Sequence, residues 1–225
     1  MKFDNGGKVV LPLLNYLDIP VIDYGFVSHI DTDHYSGFVS LVQAGKIKKI
    51  YKPEQDTNLI RDRKFELFLK EYNIPFCHYK RSVIKAGNAR IFILNNYPAP
   101  FKKNSSNNDR SSLLKIVYGN TSFLFTGDLS KKAEYFYASE YKDLLKSDVL
   151  KVSHHGSRTG SSIEFLNYNR PKFSLISAGI KNKYKHPSKE VITKLQYFKS
   201  KILRTDKLGA VLLKSDGSSV RLVNW

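Results

Sequence analysis

Apolar and polar positions alternate along the chain with two periods. Residues 8–17 (KVVLPLLNYL) have helical spacing apart from Pro12. "GFVSH" reads as a strand, 36–45 (SGFVSLVQAG) as a helix stopped by Gly45, and "KKIYKP" as a strand. Residues 57–72 (TNLIRDRKFELFLKEY) predict an amphipathic helix capped by Thr57. "PFCHYK", "RIFIL", "SLLKIVYG" and "TSFLFTGD" predict strands, the last two joined by a hairpin turn at "GNT". A helix over 130–145, a strand "DVLKVSHHG", a short helix over 161–168, a strand "FSLISAG" and a helix over 187–200 follow, with Pro187 in the last helix's first turn. "AVLLKSDGSSVRLVN" closes as a hairpin through Asp216-Gly217. Interleaved helices and strands predict an α/β protein with helices covering mixed sheets.

No repeat or low-complexity tract interrupts this pattern, and residues 1–225 read as one domain. The loosest stretch, "YPAPFKKNSSNNDRSS" from Tyr97 to Ser112, predicts a long loop of the kind that is functional or mobile. Three predicted strands end in chemistry: "FVS-HIDTDH", "FLFTG-D" and "LKVS-HHGS". Ligands gather at the carboxyl ends of strands, where the sheet fixes the backbone.

Composition sharpens this. With 41% hydrophobic residues the chain can bury a full core, and no apolar run approaches the roughly 20 residues of a membrane span. No signal-peptide pattern leads "MKFDNGGKVV", so the chain is expected to be soluble as given. The single cysteine, Cys77, excludes an internal disulfide and reads as a small buried residue of a strand. Thirty-seven lysines and arginines stand against 20 acids, a formal net charge of +17 spread over many short clusters. Spread positive charge predicts a polyanionic partner: nucleic acid, an anionic cell-wall polymer or a membrane surface.

Against this basic background, "FVSHIDTDHYSG" concentrates His29, Asp31, Asp33 and His34 within six residues. In an extended segment His29 and Asp31 point the same way, while Asp33 and His34 begin a helix, so the four surround a small volume. Imidazole nitrogen and carboxylate oxygen suit Zn, Mn or Fe better than Ca. The donors exceed what one ion needs from one loop, so two ions are expected, with Asp128 as a bridge and a histidine of "SHHGS" completing the shell. His154 and His155 are adjacent and would face opposite sides of an extended backbone. His155, entering the turn at Gly156, is the favoured ligand, and His154 would contact substrate or orient a neighbour.

"SHIDTDHYSG", "FLFTGDLS" and "DVLKVSHHGSRTGSS" resemble the metallo-β-lactamase superfamily, in particular the C-terminal hydrolase domain of ComEC-type DNA-uptake channel proteins. The likeness covers essentially the whole chain, continuing through "RPKFSLISAGIKNKYKHPSKEVITKL" and "ILRTDKLGAVLLKSDGSSVRLV". It implies an αββα sandwich of two mixed β-sheets flanked by helices. The superfamily signature is H-x-H-x-D-H. Here Asp31 stands where most members have the second histidine, a replacement shared by ComEC-like domains that favours Mn or a Zn/Mn mixture. The bridging aspartate falls on Asp128. No histidine occupies the intervening motif, where Asn108 or Asp109 would substitute. His186, in "NKYKHPS", matches a histidine of ComEC-like domains and would serve as ligand or proton donor. "KFDNGG" supplies the opening Asp-x-Gly turn with Asp4, and the strands that lead into it in relatives are missing, so an open sheet edge is expected.

The resemblance implies a metal-dependent phosphodiesterase or nuclease acting on DNA in competence-type uptake, with two divalent ions, Zn or Mn. Asp33 and His34 would hold one ion, His29 and Asp31 the other, and Asp128 both; Asp33, His154 and His186 are the candidate catalytic residues. Ser157, Arg158 and Ser161 would hold a phosphate, while Lys181 to Lys185 and the Lys102-Lys103 loop track a single strand without reading sequence. Tyr97, Phe101 and Tyr184 would stack on bases. The expected partners are single-stranded DNA and a membrane uptake channel. The expected location is cytoplasmic if the chain stands alone, membrane-associated and extracytoplasmic if it works in a ComEC-like system. Two alternatives are a phosphodiesterase for a cell-wall or small-molecule substrate, and a truncated, catalytically weak DNA-binding remnant.

Overall fold

A computed structural model describes residues 4–54, 56, 58–95 and 106–223. Within it the 225 residues read above as one domain cluster into two compact units, Met1–Tyr79 and Lys80–Trp225.

The first unit opens on a helix where a turn was expected. Asp4 Oδ1 accepts the Gly7 N–H at 2.8 Å. A widened turn, Gly6–Val10, then leads into α1 (Leu11–Tyr16). Pro12 lies just after the widened turn, where its missing N–H cannot continue the ladder. β1 (Gly25–Phe26), α2 (Thr32–Gln43), β2 (Ile50–Lys52), α3 (Ile60–Glu71) and β3 (Phe76–His78) follow. The strands form a parallel sheet in the order β1-β2-β3, so β1 has one neighbour among the described residues. A Cβ on Gly6 would lie 1.9 Å from the Gly37 carbonyl oxygen, so glycine allows the first helix to touch the α2 backbone. Val27, Ile50, Phe65 and Leu69 are buried in this core, and each such side chain contributes about 1.5–3 kcal/mol.

The second unit holds a seven-stranded mixed sheet in the order β10-β9-β8-β7-β6-β5-β4. Its strands are β4 (Ser82–Ala86), β5 (Ala89–Ile93), β6 (Leu114–Tyr118), β7 (Thr121–Phe125), β8 (Val149–Lys151), β9 (Phe173–Ile176) and β10 (Lys201–Arg204). β4 to β7 run antiparallel and β7 to β10 parallel. α4 (Lys131–Tyr141), α5 (Ile163–Asn169) and α6 (Lys189–Tyr197) bury Tyr137, Leu166 and Leu195 against Leu124, Leu150 and Ile176. α7 (Thr205–Leu208) and the hairpin of β11 (Leu212–Ser215) and β12 (Val220–Val223) complete it.

The α/β class and a large mixed sheet flanked by helices are as expected, while the three-stranded sheet of the first unit is parallel throughout. Several boundaries differ. α2 begins at Thr32 because Asp31 is extended (φ −101°, ψ 147°) and the helix starts directly after it. The helix expected over 130–145 ends at Tyr141, where Lys142 turns left-handed (φ 44°) into a tighter turn. α6 starts after Ser188, whose side chain caps it, so Pro187 precedes the helix. β4 and β10 were not predicted: β4 is largely exposed, and β10 carries Lys201 and Arg204 at its ends, so neither shows a clear apolar run. Thr57, Tyr97, Phe101, Lys102 and Lys103 lie outside the described residues. Among the described residues no helix is long and apolar enough to cross a membrane.

Candidate metal centre

In the first unit the motif follows β1. Ser28 Oγ lies 3.2 Å from His29 Nδ1 and 2.9 Å from His34 Nδ1. The two rings sit 4.1 Å apart between centroids. A hydroxyl oxygen has two lone pairs, so it can accept an N–H from both rings and turn both Nε2 lone pairs outward. His29 Nε2 is 3.4 Å from Asp31 Oδ2, and His34 Nε2 is 3.6 Å from Asp33 Oδ2. His29 is fully buried, whereas the Asp33 side chain is 63% exposed. Asp31 divides its oxygens: Oδ1 accepts from Arg61 Nη2 at 2.5 Å, and Oδ2 faces His29. Ser28 and Arg61 escaped the sequence reading. The serine directly before the motif was its only local trace, and Arg61 reaches it from α3, 30 residues away.

In the second unit Phe125, Lys151 and Leu175 sit side by side in the parallel ladder. Asp128, His154 and His155 therefore follow neighbouring strand ends on one sheet edge, and Ser177 follows the next strand along. His154 and His155 are not extended as expected. Both are left-handed (φ 48° and 52°), within a tight turn Ser153–Gly156, a conformation costing on the order of 1–3 kcal/mol each and held only where the surroundings enforce it. This changes which way they face: His155 Nε2 is 3.6 Å and His154 Nε2 3.8 Å from Asp128 Oδ2. The His155 tautomer is fixed. Its Nδ1 donates to the Ser177 carbonyl at 2.7 Å, so in the neutral ring Nε2 carries a lone pair. His154 Nδ1 instead lies 3.0 Å from Thr159 Oγ1 and 3.4 Å from Asn108 Nδ2.

These separations test the fit of a metal. Two ligands about 2.1 Å from one ion in tetrahedral arrangement stand about 3.4 Å apart. The imidazole–carboxylate gaps of 3.4 to 3.8 Å are longer than hydrogen bonds and close to that edge length. A lone pair on His155 Nε2 facing a carboxylate oxygen is a donor set that a cation reconciles. The residues present fit divalent ions.

The remaining candidates separate. His186 stacks on Tyr184 (5.7 Å, 18°) and meets the His154 ring edge-on at 5.8 Å. Burial, then His154 and His155, push its pKa down, against the pull of Asp128. Arg158, Lys181 and Tyr184 are exposed. Ser157 is buried, its Oγ accepting from Thr159 Oγ1 at 3.0 Å. Ser161 is buried too, and its N–H donates to Glu134 Oε1 at 2.9 Å. It therefore belongs to the scaffold beneath the loop rather than to the exposed surface with Arg158. Asp109 is bonded to Ser130 at the start of α4, while Asn108 approaches the His154 ring. Asp128 is itself positioned by its N–H, which donates to Ser111 Oγ at 3.0 Å.

No family model matches the chain. It is 32% identical over 211 residues to ComE operon protein 3 of Bacillus subtilis, covering 93% of this chain and 26% of that one. It is 31% identical over 204 residues to competence protein ComA of Neisseria gonorrhoeae, covering 90% and 26%. The chain thus spans about a quarter of the length of these relatives. Among solved structures it resembles CmlA, a diiron β-hydroxylase from Streptomyces venezuelae, with a TM-score of 0.61 and 13% identity, covering 85% of this chain and 45% of that one. That likeness is one of fold. The competence-protein relatives agree with the likeness to competence-type DNA-uptake proteins read from the sequence.

Proposed function

We propose that this chain, a ComEC-like relative of the competence proteins, is a metal-dependent hydrolase that cleaves phosphodiester bonds of DNA. The observation that carries the reading is the pair formed by Asp128 and His155. The histidine's proton is fixed on Nδ1, and its Nε2 lies 3.6 Å from the carboxylate. His29, Asp31, Asp33, His34, Asp128 and His155 are the proposed ligands of two divalent ions, Zn or Mn, on the strength of the resemblance and of the donor chemistry of each cluster. When bound, such ions make a nucleophile of coordinated water near neutral pH and polarise a phosphoryl oxygen.

The chain's own residues supply the rest. Ser28 orients His29 and His34, and Arg61 holds the far oxygen of Asp31. His154 and His186, whose rings meet edge to face, would exchange a proton with a leaving group. Exposed Arg158, Lys181 and Tyr184 would engage phosphate and base. A polyanionic substrate is supported by charge. Residues 1–79 hold ten of the 37 basic and ten of the 20 acidic residues, so residues 80–225 hold 27 and ten, and the whole +17.

The test is a comparison of single-stranded DNA, bis-p-nitrophenyl phosphate and a phosphorylcholine ester as substrates with added Mn or Zn. DNA and the simple diester should be cleaved. A preference for the choline ester, or no hydrolysis of any, contradicts the proposal.

A further inference from the structure

The strongest unexplained group outside the ligands is Glu134, on the first turns of α4. It is fully buried, and no basic side chain pairs with it among the described residues. Burial pushes its pKa up, and what opposes that is a set of hydrogen-bond donors. Oε1 accepts from Ser153 Oγ at 2.6 Å and from the Ser161 N–H at 2.9 Å. Oε2 accepts from the Ser162 N–H at 2.6 Å. Ser153 directly precedes the His154-His155 pair, and Ser161 and Ser162 end the same loop. One carboxyl group thus fastens both ends of the segment that carries the two left-handed histidines.

The packing is matched to this. A Cβ on Gly160 would lie 2.9 Å from the Ser153 Cβ and 3.0 Å from the Leu129 carbonyl oxygen, so the loop closes tightly over α4 only with glycine there. Ser162 in turn caps α5 through the Phe165 N–H.

We infer that Glu134 is a positioning residue for the metal centre: it sets the backbone of residues 153–162 so that His155 Nε2 is presented beside Asp128. The inference rests on the reading of His155 as a ligand. It differs from a general core role because both carboxyl oxygens are needed. In Glu134→Gln the shape is kept, but one oxygen becomes an NH2 with no acceptor lone pair. Whichever way the amide is turned, that NH2 faces a backbone N–H, of Ser161 or of Ser162.

The experiment uses the full chain, freed of metal, in wild-type, Glu134→Gln and Ser153→Ala forms. Amide exchange is followed by peptide, and Co(II) is then titrated and read by its visible absorption. Glu134→Gln should speed exchange in residues 153–162 and leave the β4–β7 amides protected. It should also weaken Co(II) binding by about 10–100-fold, the usual effect of losing a ligand's supporting contact. Ser153→Ala, which loses one of the three bonds, should do the same to a smaller degree and serves if Glu134→Gln does not fold. Unchanged loop exchange, or a loss of protection spread equally over the second unit, overturns the inference. So does wild-type Co(II) affinity in Glu134→Gln. If the wild-type chain itself binds no Co(II), the ligand reading fails, and the exchange data still decide whether Glu134 holds the loop.

Discussion

The two units bury charge in opposite ways. In the first, Lys52 is fully buried and its Nζ lies 2.8 Å from both Asp62 Oδ1 and Glu66 Oε1, with His78 Nε2 3.0 Å from the same Glu66 oxygen. In the second, Glu134 is just as buried and is met by neutral donors alone. Total charge divides unevenly too, with ten basic and ten acidic residues in the first unit against 27 and ten in the second. The first unit balances its charges internally. The second carries its excess outward, and its fully buried Glu134 lies beneath the histidine loop. The difference suggests that the first unit's ion cluster serves stability, while the second's charge serves an anionic partner.

The sharpest way to break that contrast is at Lys52. Lys52→Met leaves Asp62 and Glu66 buried beside an apolar side chain and should destabilise the first unit by about 3–5 kcal/mol. Denaturant unfolding with peptide-resolved exchange should show α3 opening first. A change below about 1 kcal/mol would mean that the cluster is not structural.

Next is the surface. Replacing Arg158, Lys181, Lys183 and Lys185 by alanine should flatten the dependence of log K on log salt for single-stranded DNA by about 3, at about 0.7 per phosphate contact. The matched set Lys46, Lys48, Arg63 and Lys70 of the first unit should change the slope by less than about 1. Equal effects would dissolve the division of charge.

Within the first unit's cluster of proposed ligands, Ser28→Ala removes the hydroxyl shared by two imidazoles and should weaken metal binding about tenfold, read by Co(II) titration. An unchanged affinity would show that the rings are held by other means.

The smallest effect is a difference of sign with pH. Burial pushes Glu66 up, but the hydrogen bonds from Lys52 and His78 outweigh it and hold its pKa low. Its contribution is therefore present above the ordinary glutamate range and lost as pH falls through the depressed value. Glu134 is raised by burial, so its contribution is full in acid and lost as pH rises through the raised value. The stability cost of Glu66→Gln should shrink on acidification, and that of Glu134→Gln should shrink on alkalisation. Parallel trends in thermal melts at pH 4 to 9 would contradict the assignment.

Much of this was legible in the residues. The apolar periods of 36–45 and 57–72 and the strand patterns of "TSFLFTGD" and "FSLISAG" reflect burial on one face, which sequence displays directly, although the elements themselves are shorter or shifted. The donors of the candidate site were legible because histidine is scarce, six in the chain, and four of the six follow two of the predicted strands. The conformation of His154-His155 was not, because left-handed backbone at two non-glycine residues is imposed by contacts distant in sequence, among them Glu134. Arg61 was invisible for the same reason. Glu134 did leave one trace: it is an acid within the buried stripe Ala133, Tyr137, Ala138 and Tyr141 of α4, where an apolar residue is the rule.

The most direct measurement incubates metal-free protein and its Asp128→Ala variant with single-stranded DNA and graded Mn or Zn. The account predicts metal-dependent cleavage by the wild-type chain and a loss of at least about a hundredfold in the variant. Intact DNA under all metal conditions, or cleavage that survives Asp128→Ala, would contradict it.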